Sequence, residues 1–197
     1  ENCASFSFGK IYGIVGENGI GKSTFLRKLS GLENERGSHF SLFGKELSKR
    51  QRLALSAIVM QDVNQQLFGD SVEEEMELGK TGQKRCLKER CEGIIDGQEN
   101  EQNKTRPHNT TKEELLNALG LSELKDRHPM SLSGGQKQRL ALAATLYQEA
   151  KLFFFDEPTS GMDQKNMLRI ARLLKSAIQE DRIFFLVSHD YAFLQEV

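Results

Sequence analysis

The chain has 197 residues, which is enough for one domain with a sizeable core. Hydrophobic residues make up 38% and charged residues 28%, a balance typical of globular proteins, and the formal net charge of -1 gives no electrostatic reason to expect a nucleic-acid partner. The three cysteines, Cys3, Cys86 and Cys91, form no paired framework, which argues against a disulfide scaffold and favours a reducing compartment. No apolar run approaches the roughly 18 residues that span a bilayer, so work at a membrane requires a partner.

The first predicted elements are a strand, a glycine-rich loop and a helix. Residues 11–15 form a short apolar, partly β-branched run that predicts a buried strand. Residues 23–32 predict a helix, with Phe25, Leu26 and Leu29 on its buried side. This strand–loop–helix order is the context in which glycine-rich loops bind phosphate.

The middle of the chain predicts two short strands and a polar insert. Residues 39–43 indicate an antiparallel strand, and residues 57–60 indicate another strand that ends at Gln61. Residues 80–112 contain few large apolar side chains and bury too little surface to offset their ordering entropy. Within them we expect a mobile loop over about 100–111 and a marginal helix over 87–95.

The second half alternates helices and strands. A helix is predicted to resume at Lys112, and a further helix is predicted from residue 137 onward. Residues 151–155, apolar after Lys151, and residues 183–187 are runs of the kind found in parallel sheets that are covered on both faces. Alternating strands and helices predict a three-layer α/β core with a largely parallel sheet.

The glycine-rich loop matches G-x4-G-K-[ST] in full. Backbone N–H groups and a helix N-terminus can surround a triphosphate only where bulky side chains are absent. Lys22 can then reach the β- and γ-phosphates, and the Ser23 hydroxyl can bind Mg²⁺. A plain glycine turn is the alternative. The predicted phosphate-binding residues are Gly16, Glu17, Asn18, Gly19, Ile20, Gly21, Lys22, Ser23 and Thr24.

Two acids, Asp156 and Glu157, directly follow the apolar run that ends at residue 155. An unpaired carboxylate is costly to bury, and a magnesium ion, usually bound through water, gives Asp156 a partner. The two acids could instead cap the turn at Pro158 and Thr159.

Between the loop and these acids lies Leu132-Ser133-Gly134-Gly135-Gln136, followed by a helix-forming run. The three motifs in this order resemble the ATPase domain of ABC (ATP-binding cassette) proteins. The resemblance implies that ATP and Mg²⁺ are the cofactors and that the enzyme is an ATPase. It also implies a second ATPase domain, because in the family the signature residues Ser133, Gly134, Gly135 and Gln136 approach the nucleotide held by the opposite subunit.

The resemblance gives further residues roles. Glu157 is expected to polarise the attacking water, His189 to contact the γ-phosphate, and Gln61 to reach Mg²⁺ and the water. Asp163 matches the D-loop, and the expected metal ligands are Ser23, Gln61 and Asp156. A family residue that stacks on adenine is expected upstream of Glu1, because Phe6 and Phe8 lie too close to the loop.

The resemblance implies a RecA-like core over about 1–70 and 149–197, a small antiparallel β subdomain, and a helical subdomain over about 71–148 that contains the insert. We expect 1–197 to be one ABC ATPase domain. Family domains usually run further in both directions, so we also expect it to be part of a longer polypeptide.

Residues 61–75 and Arg127-His128-Pro129 are most similar to ATPases of energy-coupling-factor and cobalt-type importers. Those ATPases power import of vitamins or metal ions from the cytoplasmic face of the membrane through a transmembrane coupling protein. The partner ATPase domain can be identical, different or fused in the same chain. Two alternatives are a soluble ABC ATPase acting on ribosomes or DNA, and a site that binds ATP but scarcely hydrolyses it.

Overall fold

The computed structural model describes residues 3–35, 37–91 and 111–197. Four parallel strands form the main sheet in the order β1-β6-β5-β4, and β2 pairs with β3 in a small antiparallel hairpin. The strands are β1 Lys10–Ile14, β2 Ser41–Leu42, β3 Lys45–Glu46, β4 Ser56–Val59, β5 Leu152–Asp156 and β6 Ile183–Val187. The helices are α1 Lys22–Ser30, α2 Lys49–Leu55, α3 Val72–Arg90, α4 Lys112–Ala118, α5 Gly134–Leu146, α6 Gln164–Ala177 and α7 Tyr191–Glu196.

The central strand β5 shows why its sequence is apolar at every position. Side chains alternate between the two faces of a sheet, and both faces here are covered. Phe153 and Phe155 point into a core shared with α3 to α7. Phe154 points to the opposite face, into a core shared with α1, α2 and the β2–β3 hairpin. The predicted three-layer α/β fold with a small antiparallel sheet is therefore confirmed.

Helices α1 and α2 are joined by the side chain of Arg52, which is only 5% exposed. Its Nη1 donates to the Lys28 carbonyl near the C-terminus of α1, and its guanidinium carbon lies 3.8 Å from the centre of the Phe40 ring. Burial lowers the pKa of Arg52. The arginine thus satisfies a helix-end carbonyl and stacks on an aromatic ring, which fixes the layer beneath the glycine-rich loop.

Helix α3 is longer than the sequence predicts. Residues 80–90, assigned to the polar insert of 80–112, continue this helix, and Thr111 already caps α4. Tertiary contacts explain the difference: α3 packs on α5, and Lys80 lies 4.3 Å from the centre of the Tyr147 ring. The prediction for about 100–110 and the end of the predicted helix over 87–95 lie outside the described residues.

Two further sequence predictions need correction. Phe25 was placed on the buried side of its helix, but it is 46% exposed, whereas Leu26 is buried as predicted. The strand predicted over 39–43 is reduced to Ser41–Leu42, because Phe43 adopts a left-handed backbone (φ 52°) in the hairpin turn. Helix α2 and the terminal helix α7 were not predicted.

Candidate nucleotide-binding site

An open cleft of about 450 Å³ lies at the C-terminal ends of the parallel strands. Loops that follow β1, β4, β5 and β6 all contribute to it, as expected for ligand sites in parallel α/β sheets. Its lining residues are Asn18, Gly19, Gly21, Lys22, Ser23, Thr24, Gln61, Asp156, Glu157, Val187 and His189. All of these except Val187 were predicted from the sequence, and the fold brings them to one place.

The loop before α1 is shaped by glycines in left-handed conformations. Gly19 has φ 81° and Gly21 has φ 101°, and a Cβ added at either position would meet no protein atom within 4 Å. The glycines are therefore favoured by the left-handed backbone conformation, and they leave the space in front of the loop open. The N-cap residue of α1 is Gly21, which supplies no side-chain cap. Backbone N–H groups at the start of α1 consequently face the cleft without a capping side chain.

Lys22 folds back over this loop. Its Nζ donates to the carbonyls of Gly16 at 2.8 Å and Glu17 at 2.9 Å. These bonds hold the ammonium group at the mouth of the loop. A triphosphate entering the cleft would offer charged oxygens in exchange for two neutral carbonyls, and charge-assisted hydrogen bonds are the stronger kind.

Ser23 and Asp156 are joined directly across the cleft. The Ser23 hydroxyl donates to Asp156 Oδ1 at 2.9 Å, and Asp156 is only 7% exposed at the end of β5. A hydroxyl and a carboxylate so placed offer oxygen atoms, the ligands that Mg²⁺ prefers. The donor chemistry therefore fits Mg²⁺. Among the described residues, no group of three or more His, Cys, Asp and Glu side chains could hold a metal on its own.

Glu157 is constrained both by its backbone conformation and by contacts with β6 and His189. Its backbone is left-handed (φ 53°), an uncommon conformation for a residue other than glycine. Its N–H donates to the Val187 carbonyl of β6 at 3.0 Å, and its Oε1 lies 3.2 Å from His189 Nε2. The His189 backbone N–H also lies 3.4 Å from Glu157 Oε2. The carboxylate and the imidazole are thus held together at the edge of the cleft.

Gln61 follows β4 and begins a hydrogen-bonded loop. Asp62, the next residue, accepts hydrogen bonds from the Asn64 side chain at 3.0 Å, the Asn64 backbone at 3.1 Å and the Gln65 side chain at 3.0 Å. These bonds, led by that of the Asn64 side chain, lower the pKa of Asp62. The carboxylate thereby organises the turn that follows the cleft.

The signature residues lie elsewhere. Ser133 is the N-cap of α5 in a capping box: its Oγ accepts from the Gln136 N–H at 3.4 Å, and Gln136 Oε1 accepts from the Ser133 N–H at 2.9 Å. Ser133 and Gly134 are exposed. Asp163 caps α6 by accepting from the Asn166 N–H at 2.8 Å. None of these residues lines the cleft described above.

Two glutamines near the cleft were missed by sequence reasoning. Gln66 hydrogen-bonds the backbone at the end of β4, and Gln138, which is 6% exposed, reaches the Glu157 carbonyl from α5 with its Nε2 at 3.4 Å. Gln138 lies in the polar run of residues 136–139, so no signal in the sequence indicated that this amide is buried. Nothing in the sequence distinguished Gln66 from its polar neighbours.

A sequence model of the family described as ABC transporter matches residues 4–160 of the chain. The chain belongs to the ABC transporter ATP-binding family. ATPases of this family bind and hydrolyse ATP, which makes the cleft the candidate nucleotide site of this domain. No helix among the residues that the structure describes is long and apolar enough to cross a membrane.

Similarity to individual proteins is strong over almost the whole chain. A putative ABC transporter ATP-binding protein of Treponema denticola is 39% identical over 189 residues, which cover 96% of this chain and 34% of that protein. The energy-coupling factor transporter ATP-binding protein EcfA1 of Thermotoga maritima is 32% identical over 194 residues, covering 98% of this chain and 68% of that protein. An archaeal ribosome recycling factor, aABCE1, solved in complex with the ribosomal stalk protein aP1, superposes with a TM-score of 0.65 at 28% identity, covering 96% of this chain and 31% of that chain.

The chain spans about a third of the length of the Treponema relatives that it matches, 34% of one and 32% of another. The family assignment follows from the matched region itself.

Proposed function

We propose that this ABC ATPase domain powers an importer of the energy-coupling-factor type, which takes up vitamins or transition-metal ions. The observation that carries the proposal is the similarity to EcfA1 of Thermotoga maritima, of which the chain covers 68% at 32% identity. The domain would act at the cytoplasmic face of the membrane, bound to a transmembrane coupling protein.

In this proposal the triphosphate of ATP lies in the cleft along residues 16–24. Lys22 releases the carbonyls of Gly16 and Glu17 and donates to the β- and γ-phosphate oxygens. Ser23 and Asp156, with Gln61 beside them, would hold Mg²⁺. When bound, the ion neutralises charge that develops on the phosphate oxygens.

Glu157 is then the residue that orients the attacking water and accepts its proton. Its position at the end of β5 and its bond to Val187 aim the carboxylate into the cleft. His189, 3.2 Å from Glu157 Oε1, fixes that carboxylate and can contact the γ-phosphate. The bond between the γ-phosphorus and the bridging oxygen breaks as the water oxygen adds, and ADP and phosphate leave.

A second ATPase domain would complete the site. Ser133, Gly134 and Gly135 do not line their own cleft, and the first two are exposed at the N-terminus of α5. Placed opposite the γ-phosphate of another domain, they would supply the Ser133 hydroxyl, N–H groups and the positive end of a helix dipole, much as an arginine finger supplies charge from across an interface. The second domain can be identical, different or fused.

The coupling protein would dock in a groove of about 230 Å³ beside α3 and α5. The groove is bordered by Phe68, which is 78% exposed, and by Leu78, which is 48% exposed. Exposed apolar side chains of this size at a groove fit an amphipathic helix of a partner.

The test is to extract the full-length protein from membranes in mild detergent and identify what co-purifies. A multi-spanning membrane protein is expected with the wild type and should be lost with Phe68→Ser. Phe43→Ser is the matched control, because Phe43 is also exposed, at 46%, but lies on the β2–β3 turn.

A second candidate is a soluble ABC ATPase that acts on ribosomes. It is favoured by the similarity to the ribosome recycling factor aABCE1, whose TM-score is 0.65. Co-sedimentation with ribosomal subunits, and no membrane partner, would replace the importer by this alternative.

A further inference from the structure

The side chain of Gln66 forms a clasp on the backbone next to Gln61. Gln66 Oε1 accepts from the Met60 N–H at 2.7 Å, and Gln66 Nε2 donates to the Ile58 carbonyl at 2.7 Å. Both functional ends of one amide are therefore used, each at short distance, one on Ile58 of β4 and one on Met60 just after that strand. Met60 immediately precedes Gln61, whose side chain lines the nucleotide cleft.

The position of β4 explains why this clasp is needed. Among the residues that the structure describes, β4 is the edge strand of the sheet and pairs only with β5. Backbone groups on its outer side have no neighbouring strand, and buried backbone groups require partners. The Gln66 amide contacts one carbonyl and the N–H two residues later, as the N–H and C=O of one residue on a neighbouring parallel strand would do. It thereby extends the ordered end of β4 up to Gln61.

Gln66 also borders the groove beside α3 and α5. Gln66, Leu67 and Phe68 all line the groove of about 230 Å³. Glu75, which is 6% exposed, holds that segment by accepting from the N–H groups of Phe68 and Gly69, each at 2.7 Å. The side chain of Gln66 thus binds the backbone next to the nucleotide cleft, at Ile58 and Met60. The segment that follows it is held beside the groove by Glu75.

We propose that Gln66 is a positioning residue that holds Gln61 in place at the nucleotide cleft and links it to the groove. The inference rests on the proposed function in one respect, namely that Gln61 acts on the metal and the water. No other side chain described here holds both the Ile58 carbonyl and the Met60 N–H.

The first test replaces Gln66 by Met in the full-length protein. Met has similar length but can neither accept from Met60 nor donate to Ile58. We expect kcat to fall roughly ten- to a hundredfold, because misplacement of a catalytic group by about 1 Å can cost that much. The KM for ATP should stay within about twofold, because the phosphate loop is untouched. Gln65→Met is the matched control, because Gln65 bonds the exposed Asp62 side chain, and its kcat should stay within about twofold of the wild type.

The second test separates positioning from general support of the fold. In a Gln61→Ala background, Gln66→Met should cause little further loss of kcat, because the group that it positions is gone. Equal losses in both backgrounds would overturn the inference. If Gln66→Met does not fold, Gln66→Asn, which retains the amide but is one methylene too short to make both bonds, is measured in the same cycle.

The possible failures are distinguishable. A Gln61→Ala variant with wild-type turnover would remove the role proposed for Gln61 and leave the clasp as a structural feature. If Gln61→Ala lowers kcat but neither Gln66→Met nor Gln66→Asn does, the inference about Gln66 is contradicted while the proposed function is not. Metal dependence adds a third readout: the Mg²⁺ concentration for half-maximal activity should rise with Gln66→Met and stay unchanged with Gln65→Met.

Discussion

Two helix N-termini in this domain are built in opposite ways. Helix α1 begins after Gly21, in a left-handed conformation with no side-chain cap. Helix α5 begins after Ser133, whose capping box with Gln136 engages the N–H groups of both residues. The first end faces its own cleft, and the second end does not line that cleft.

The difference shows what each end requires from outside. The uncapped end of α1 has N–H groups that a triphosphate can satisfy within the same chain. The end of α5 is stable without a ligand, because its own residues cap it. It can therefore remain exposed until another domain supplies a phosphate. The comparison predicts that substitutions at the two ends will have different effects on binding, turnover and stability.

The largest expected effect is at Glu157, between the two ends. Glu157→Gln keeps the shape and removes the proton acceptor, so turnover should fall on the order of 10²–10⁴-fold while ATP binding persists. Because ATP is no longer consumed, pairs of domains joined through the α5 end should accumulate, which size-exclusion chromatography with ATP would detect. Glu180→Gln, at an exposed glutamate, is the control. Hydrolysis near the wild-type rate would mean that another residue is the base.

The sequence predicted the residues that line the cleft better than those that support it from behind. The glycine pattern with Lys22 and Ser23, and the acids after an apolar run, identified the cleft because local spacing determines local backbone conformation. The roles of Gln138 and Gln66 depend on which elements become neighbours in the fold, and neither residue has a local signature. Phe25 was misplaced because periodicity gives a helix face and not the layer that covers it.

The second-largest effect is expected on nucleotide binding, at the uncapped N-terminus of α1. Lys22→Ala should raise the Kd for Mg-ATP about ten- to a hundredfold, because each charge-assisted hydrogen bond to phosphate is worth about 1.5–3 kcal/mol. Lys28→Ala is the matched control: it removes the same charge from the same helix, but Lys28 pairs with Glu35 at 2.9 Å on the surface. Isothermal titration of both variants decides the matter, and an unchanged affinity for Lys22→Ala would show that the loop does not bind the phosphates.

The smallest expected effect is at Ser133, the N-cap of α5. It is the most informative for the comparison of the two helix N-termini, because it separates stability from activity at the capped one. Ser133 and Thr111 are both N-caps in capping boxes, with Gln136 and Glu114 as their partners. Ser133→Ala and Thr111→Ala should each lower the free energy of unfolding by about 1 kcal/mol in urea titrations. Only Ser133→Ala should also reduce turnover, by about tenfold at saturating ATP, because only its hydroxyl is proposed to reach a phosphate held by the opposite domain. Equal turnover in the two variants would show that Ser133 does no more than cap α5, and the signature would then have to act through its glycines alone.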